Sequence, residues 1–263
     1  MIPDRDIGRM EGDFRRRRNG FGPILYTSAF GSFYIGVTVG LIFGALPVFL
    51  LAHRAWHPDR FRRAVRRFIQ LYGRMTIRLG WPVVRTRIVD RDRVRGVEPC
   101  VYVMNHFSFT DIYFCGFLPA DQTLIAIRSW PFRLPVFSIF MRWAGYLDVE
   151  SRTWREILVE SGRALRGGGS ILFFPEGHRS RGGRLQPLGQ GAFLIAARHG
   201  VPIVPVTIEG TQRLGGYVSR LLGPARVTLT FHDPIIAQGA DMRSLRIVRK
   251  DVERVFRETV YHG

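Results

Sequence analysis

The pattern of hydrophobic and polar positions changes near residue 81. From there to the end of the chain, short apolar runs alternate with segments whose apolar residues recur every three or four positions. The short runs are typical of buried strands, and the longer spacing is typical of helices with one buried face. We therefore expect an α/β fold over residues 81–263, with a mixed, largely parallel sheet flanked by helices.

The predicted elements follow from these runs. Strands are predicted over residues 83–89, 100–104, 123–127, 146–149, 170–174, 203–208 and 227–231. Helices are predicted over residues 111–118, 153–166, 191–199 and 244–261, and a segment rich in Trp, Pro and Phe forms one more that ends at Met141. Two of the strands lead directly into polar motifs, and ligands bind outside the carboxyl ends of strands in open α/β sheets.

An uncharged apolar segment, Ile24–Ala52, precedes this domain and follows a basic arm predicted to be flexible over residues 1–23. A helix that spans a bilayer needs about 20 apolar residues, so the segment is long enough. Basic residues on both of its sides favour the cytoplasm for both ends. The segment is predicted to be a re-entrant pair of short helices, broken at its glycines or at Pro47, or a single span. A buried segment of a soluble protein is the third alternative.

Residues 58–79 are predicted to form a basic amphipathic helix. Such a helix can lie on an anionic leaflet, or it can pack on the following domain with its basic face in solvent, and the two interpretations are compatible. With the apolar segment it makes a predicted membrane-anchoring unit over residues 24–80. The apolar positions are Phe61, Val65, Phe68, Ile69, Tyr72, Met75 and Leu79, and the basic positions are Arg62, Arg63, Arg66, Arg67 and Arg74.

Charge restricts the class of partner. The 263 residues include 39 basic and 21 acidic side chains, a formal charge of +18, and Lys250 is the one lysine. Arginine binds phosphate with two parallel hydrogen bonds, so nucleic acid, anionic lipid and acidic substrates are candidates. The chain has no recognised nucleic-acid-binding motif, and its charge concentrates beside the apolar segment. We therefore predict a lipid partner and no nucleic acid.

Two further residue types narrow the chemistry. Cys100 and Cys115 lie in apolar surroundings and are predicted to be buried thiols rather than a disulfide framework. The sequence has no spacing of His, Cys, Asp and Glu that is typical of a metal site, so no metal is expected to be required. No pattern specifies an oligomeric state.

The first polar motif follows the strand predicted over residues 100–104. It contains His106 and, five positions later, Asp111. A carboxylate bonded to one imidazole nitrogen fixes the tautomer, which leaves the other nitrogen to accept a proton from an alcohol. Ser108 raises the alternative of a covalent intermediate, although no Gly-x-Ser-x-Gly turn surrounds it. The structural alternative is that Asp111 caps the helix that starts there.

The second motif follows the strand predicted over residues 170–174. Pro175, Glu176 and Gly177 turn the chain out of the sheet. Arg179 and Arg181 then follow, and they are suited to binding a phosphate bidentately. Glu176 is expected either to orient His106 or to hold a substrate hydroxyl. A solvated polar loop is the structural alternative.

Together these residues resemble the signature motifs of the glycerolphosphate and lysophosphatidic acid acyltransferase family. Asn105-His106-x4-Asp111 is similar to the first motif, and Phe174-Pro175-Glu176-Gly177-x-Arg179-Ser180 is similar to the third. The segment from Arg128 to Leu147 resembles the second motif, and Val201–Val206 resembles the fourth. The resemblance covers about residues 80–215, in the family's order.

The resemblance implies transfer of a fatty acyl group from a thioester to a hydroxyl of a lysolipid, most readily 1-acylglycerol-3-phosphate. His106 would be the general base and Asp111 its support. The co-substrate would be acyl-CoA or acyl-carrier protein, with no other cofactor, and the site would face the cytoplasm at a membrane, the inner membrane in a bacterium. The residues implied to bind substrate are Asn105, Arg128, Glu176, Gly177, Arg179 and Ser180, and those implied to shape the acyl channel are Pro202 and Pro205.

Three departures from the family pattern keep alternatives open. His178 stands where the family usually has Thr, and Arg128 stands where Lys is common. The Asp-Arg pair that commonly follows the second motif is Glu150-Ser151 here. The acceptor is therefore either lysophosphatidate or another lysolipid, including a lyso-aminolipid. An esterase or thioesterase that uses water in place of the alcohol is the runner-up activity.

Overall fold

The structure is a computed structural model, and it describes residues 21–80, 84–120, 122–134, 137–180, 184–214 and 225–261. Most of the predicted basic arm, together with Arg181, lies outside these ranges. The helices are α1 (Phe21–Ala55), α2 (Pro58–Leu79), α3 (Asp111–Phe114), α4 (Phe137–Ala144), α5 (Trp154–Arg166), α6 (Gly191–His199) and α7 (Met242–Thr259). The strands are β1 (Val84–Val89), β2 (Val101–Met104), β3 (Thr123–Ile127), β4 (Leu147–Asp148), β5 (Ser170–Phe173), β6 (Ile203–Glu209) and β7 (Ala225–Phe231).

The sheet confirms the predicted fold class. Its order is β1-β7-β6-β2-β5-β3-β4, and neighbouring strands are parallel except for β6 and β7. The central strands β2 and β5 are buried along their whole length, which agrees with their continuous apolar sequences. The α/β domain thus has a mixed, largely parallel sheet flanked by helices.

The register of β2 and β5 explains why the two polar motifs meet. Val103 is level with Phe173 in this parallel pair. Three residues further along each strand, the same register places His106 level with Glu176. The chain leaves the sheet at the same edge after β2 and after β5. Two motifs that are far apart in sequence therefore form one loop cluster.

Helices α1 and α2 form an antiparallel hairpin whose turn is Trp56-His57. Thr38 Oγ1 and Tyr72 Oη are 2.8 Å apart between the two helices. The predicted break of a re-entrant pair is wrong, because α1 continues through Pro47. Just beyond it, the ring of Phe49 packs edge-to-face against rings of α2 and α4, which offsets the hydrogen bond that proline removes. Among the described residues, no helix combines the length and apolar character needed to cross a membrane.

Helix α2 has the predicted bounds and packs on the domain, as one of its two interpretations required. Phe61 and Val65 are buried as predicted, whereas Met75 and Leu79 are exposed. The far half of the helix instead buries Gln70, Gly73, Thr76 and Ile77. A Cβ added to Gly73 would lie 2.6 Å from the carbonyl oxygen of Tyr113. Glycine is therefore required there because the helix approaches the backbone that follows the first motif.

Candidate active site

Asn105 anchors the start of the loop that carries His106. Its side chain is fully buried, and its amide donates to the carbonyl of Ile208 at 2.9 Å. The amide nitrogen of Ile208 donates back to the Asn105 side-chain oxygen at 2.7 Å. The loop that carries the candidate base is thereby fastened to β6, because both polar atoms of the side chain are satisfied by backbone.

Asp111 organises the rest of the loop. Its carboxylate oxygen Oδ2 lies 2.8 Å from His106 Nδ1 and also accepts the backbone N–H groups of Phe107 and Ser108. Asp111 is completely buried and is the first residue of α3, after the cap position occupied by Thr110. The capping alternative is therefore wrong. With a carboxylate on Nδ1, the Nδ1 atom carries the ring proton and Nε2 is the acceptor.

Ser108 is not placed to be a nucleophile. Its side chain is fully buried, and its hydroxyl donates to the carbonyl of Leu214 at 2.8 Å. The hydroxyl also lies 3.2 Å from the amide nitrogen of Thr110. A hydroxyl already committed to two backbone contacts has a structural role in the loop.

Glu176 holds the backbone of the candidate base, His106, from the side away from the cavity. Its oxygen Oε1 accepts the backbone N–H of His106 at 3.0 Å and the hydroxyl of Tyr261 at 3.1 Å. Its oxygen Oε2 accepts the hydroxyl of Ser180 at 2.6 Å and the backbone N–H of Gln186 at 3.0 Å. With four donors on a carboxylate that is 6% exposed, the geometry favours the orienting role that we expected as one of two alternatives.

A backbone hydrogen bond also joins the two motifs. The backbone N–H of Ser180 donates to the carbonyl of His106 at 2.6 Å. His106 is thus held through its own N–H by Glu176 and through its own carbonyl by Ser180, and its imidazole is the part left to face the cavity. The ring also packs on Phe174, with 4.5 Å between centroids.

The cavity beside His106 has a volume of about 840 Å³ and a mostly apolar wall. Side chains from α2, α4, β3 and β5 form that wall. The polar residues are His106 itself and a group at the same end that contains Arg128, His178 and Arg179. The apolar wall residues include Phe68, Ile69, Tyr72, Phe137, Phe140, Met141 and Phe173. An elongated apolar substrate with one anionic end matches this distribution.

Arg128 is part of a charged chain at this polar end. Its Nε donates to Glu150 at 2.5 Å, and its Nη1 lies 2.9 Å from His178 Nδ1. The carboxylate of Glu150 also accepts the backbone N–H of Ser129 at 2.8 Å. That backbone hydrogen bond, followed by the one from Arg128, lowers the pKa of Glu150. The acid therefore remains ionised and holds the guanidinium.

The structure divides the predicted substrate-binding residues into two groups. Arg128, Gly177 and Arg179 line the cavity. Asn105, Glu176 and Ser180 do not line it; they lie behind the loop, because their polar groups are used to fold the two motifs onto each other. Their assignment to substrate binding is corrected to support of the loop.

The predicted acyl-channel prolines also need correction. Pro202 and Pro205 belong to the segment around β6, where their carbonyls accept the backbone N–H groups of Val101 and His232. Neither lines the cavity, which lies on the side of β5 and β3. Strand β6 follows β5 in the sequence, but β2 lies between them in the sheet. The sheet order therefore separates β6 from the cavity.

Several residues of the site were not predicted from sequence. Tyr261 and Gln186 reach the two motifs from outside them, and Glu150 and His178 belong to the polar end of the cavity. Glu150 and His178 carried a signal, as departures from the family pattern. Tyr261 and Gln186 carried none, because their contacts with Glu176 depend on the tertiary structure.

The two cysteines do not line the cavity. Cys100 and Cys115 are buried and unpaired, as predicted, and burial raises the pKa of the Cys100 thiol to about 11. Among the described residues, no group of three or more His, Cys, Asp or Glu side chains is arranged to hold a metal ion.

Comparison with known proteins extends the sequence resemblance. The acyltransferase family model matches residues 85–209. The chain is 35% identical over 190 residues to the chloroplastic 1-acyl-sn-glycerol-3-phosphate acyltransferase BAT2 of Brassica napus, covering 70% of this chain and 54% of that protein. It is 32% identical over 190 residues to the chloroplastic LPAT1 enzyme of Arabidopsis thaliana, covering 70% of this chain and 52% of that one. The chain thus spans about half the length of these curated relatives.

The fold has a solved counterpart. The crystal structure of the 1-acyl-sn-glycerophosphate acyltransferase PlsC from Thermotoga maritima matches with a TM-score of 0.74 and 22% identity, covering 90% of this chain and 96% of that one. At this identity the match concerns the fold. The family resemblance rests on the family model and on the curated relatives. The resemblance to the acyltransferase family that the two polar motifs predicted is confirmed over residues 85–209.

Proposed function

We propose that this protein transfers a fatty acyl group from a thioester to the free hydroxyl of 1-acylglycerol-3-phosphate, which yields phosphatidic acid. The observation that carries the proposal is His106, whose Nδ1 is bonded to Asp111 and whose imidazole opens onto an apolar cavity with arginines at the same end. The names of the similar plant enzymes support the same acceptor.

The chemical step follows from this geometry. Nε2 of His106 removes the proton of the acceptor hydroxyl while its oxygen attacks the thioester carbonyl carbon. The tetrahedral intermediate collapses, the carbon–sulfur bond breaks, and the thiolate takes the proton from the imidazolium. Asp111 stabilises the transient imidazolium and keeps the ring in the active tautomer. The products are one ester and one thiol.

The headgroup is expected to bind at the polar end. Arg128 and Arg179 line the cavity there, and arginine suits a phosphate because its N–H groups match two oxygens at once. Gly177 has a positive φ of 67°, a conformation that glycine adopts readily. The turn at Gly177 therefore brings backbone and Arg179 to the same side of the cavity.

The acyl donor is proposed to be acyl-CoA or acyl-carrier protein, since both carry the fatty chain as a thioester. The apolar wall formed by α2 and α4 would receive a fatty chain, because burial of methylene groups is favourable by about 0.8 kcal/mol each. The donor's reactive carbonyl would then lie near His106, at the boundary between the apolar and polar parts of the cavity.

Attachment to a membrane is proposed for the helical hairpin. Large apolar side chains of α1 are exposed, among them Phe43 at 71% and Leu51 at 73%. Exposed apolar surface of this kind, next to a helix with arginines on its outer face, suits the surface of an anionic bilayer. We propose the cytoplasmic face of a bacterial inner membrane. Residues 24–80 would be the attachment unit and 81–263 the acyltransferase domain, with α2 contributing to both because it also lines the cavity.

One experiment tests the activity. The purified chain is incubated with an acyl thioester and, separately, lysophosphatidate, other lysophospholipids, a lyso-aminolipid or no acceptor. Thiol release and lipid product are both measured. We expect product and thiol in equal amounts, with lysophosphatidate the best acceptor. Thiol release that is independent of acceptor would establish a thioesterase instead. A preference for an uncharged or zwitterionic lysolipid would contradict lysophosphatidate as the acceptor.

A further inference from the structure

Tyr261 lies behind the catalytic loop and outside every motif that the sequence offered. It follows α7, and it is 6% exposed. Its ring packs against Phe107 with 5.3 Å between centroids, and its hydroxyl reaches Glu176 and Ser180. One side chain therefore contacts both the neighbour of the base and the carboxylate that holds the base's backbone.

The direction of these hydrogen bonds follows from the carboxylate, which only accepts. Ser180 donates its single proton to Glu176 Oε2 at 2.6 Å. In the 2.6 Å contact between Ser180 and Tyr261, Tyr261 is therefore the donor. Its proton is shared with Glu176 Oε1, 3.1 Å away. Burial, followed by the negative charge of Glu176, raises the pKa of Tyr261, so the phenol keeps the proton that this arrangement needs.

We propose that Tyr261 is a positioning residue for His106 in the acyl transfer proposed above. Its hydroxyl and that of Ser180 hold the Glu176 carboxylate in one orientation, in which Oε1 faces the backbone N–H of His106 at 3.0 Å. Tyr261 does not line the cavity. It acts through Glu176 and through its contact with Phe107.

Removal of this hydroxyl has a specific consequence. Glu176 Oε1 would keep His106 as its donor but lose the second one, and the Ser180 hydroxyl would lose the donor that fixes its rotation. Three of the four donors to the carboxylate would remain, so it would be held less firmly in the orientation in which Oε1 accepts the backbone N–H of His106. Because the cavity wall is unchanged, we expect a lower kcat and an unchanged KM for each substrate.

The test is Tyr261→Phe, with Tyr102→Phe as its matched control. Tyr102 is also a buried tyrosine, and its hydroxyl also donates to a glutamate, Glu98 Oε1 at 3.2 Å, but at the opposite end of β2. We expect kcat of Tyr261→Phe to fall about tenfold, the effect of one hydrogen bond that orients a base. The KM values of lysolipid and thioester should stay within about twofold of wild type. The control should retain wild-type kcat.

A second measurement needs no substrate. Amide hydrogen exchange at His106 should be faster in Tyr261→Phe than in wild type or in the control, because that N–H donates to Glu176. A wild-type chain without transferase activity would overturn the proposed function, and the exchange rate would still decide the positioning role. Unchanged kcat together with unchanged exchange would overturn the inference, as would a loss confined to KM.

Ser180→Ala keeps the inference testable if Tyr261→Phe does not fold. It removes the other hydroxyl of the same relay, so we expect a similar loss of kcat and the same faster exchange at His106. Where both variants fold, the double variant should lose less than the product of the two single losses, because both act on Glu176. Losses that multiply independently would contradict a shared relay.

Discussion

The cavity side and the buried side of the two polar motifs differ in what their side chains do, although residues of the two sides are neighbours in the sequence. On the cavity side are His106, Gly177 and Arg179. On the buried side are Asn105, Glu176 and Ser180, whose polar atoms bond to backbone or to each other. A charged residue beside the candidate base can therefore serve the fold of the loop instead of the substrate. Substitutions on the two sides should therefore change different kinetic constants.

His106→Ala would test the cavity side most strongly. We expect kcat to fall by about two to four orders of magnitude, the usual contribution of a general base. Asp111→Asn should also be severe, because the amide no longer favours the tautomer with a proton on Nδ1. Both are checked by initial rates with lysophosphatidate, with folding verified by circular dichroism. Near-normal turnover in folded His106→Ala would disprove the mechanism.

Glu176→Gln would test the buried side. The glutamine amide has an NH2 group in place of one carboxylate oxygen, and this group would face hydrogen-bond donors that the carboxylate now accepts. Glu176→Gln should therefore lower kcat by about 100-fold and the free energy of unfolding by about 2–3 kcal/mol. The KM of the lysolipid should change little, because the side chain lies behind the cavity. Kinetics and denaturant unfolding check the two effects. A large rise in lysolipid KM at unchanged kcat would return Glu176 to the substrate-binding group.

Arg179→Lys would sharpen the comparison from the cavity side. Lysine keeps the charge but loses the planar arrangement of N–H groups. We expect the KM of the lysolipid to rise by about 10- to 100-fold, as for loss of a charge-assisted contact, with little change for the thioester. Saturation curves for each substrate measure this. A rise in the thioester KM alone would mean that the arginine faces the donor.

Glu150→Gln has the smallest expected effect. The lowered pKa of Glu150 means that its hold on Arg128 is present above the usual pKa of the acid and is lost as pH falls through the lowered value. Near neutral pH, Glu150→Gln should release Arg128 toward the substrate and change the lysolipid KM by about two- to fivefold, the range of a partly exposed ion pair. Lysolipid saturation curves at pH 7, beside Glu160→Gln as a control on another exposed glutamate that pairs with arginine, check it. A KM equal to that of the control would show that the pair has no influence on the acceptor.

The sequence predicted the sheet better than the helical hairpin, for a physical reason. Strands β3 and β5 and helices α2 and α6 have bounds within one residue of those predicted, because apolar periodicity and glycine or proline ends are local signals. The hairpin was misjudged because glycines and Pro47 mark a break only where no packing compensates. Contacts of Phe49 with α2 and α4 provide that packing, and they depend on residues far along the chain.

What the sequence by itself determined is the set of chemical groups: a histidine with a carboxylate five positions on, an arginine-rich turn after a buried strand, and a family that combines the two. Only the tertiary structure decided which of these groups face the substrate. The parallel register of β2 and β5 brings Glu176 under His106, and the end of the chain adds Tyr261 to the same cluster. Such long-range hydrogen bonds have no signature in local spacing, because they depend on how distant elements pack.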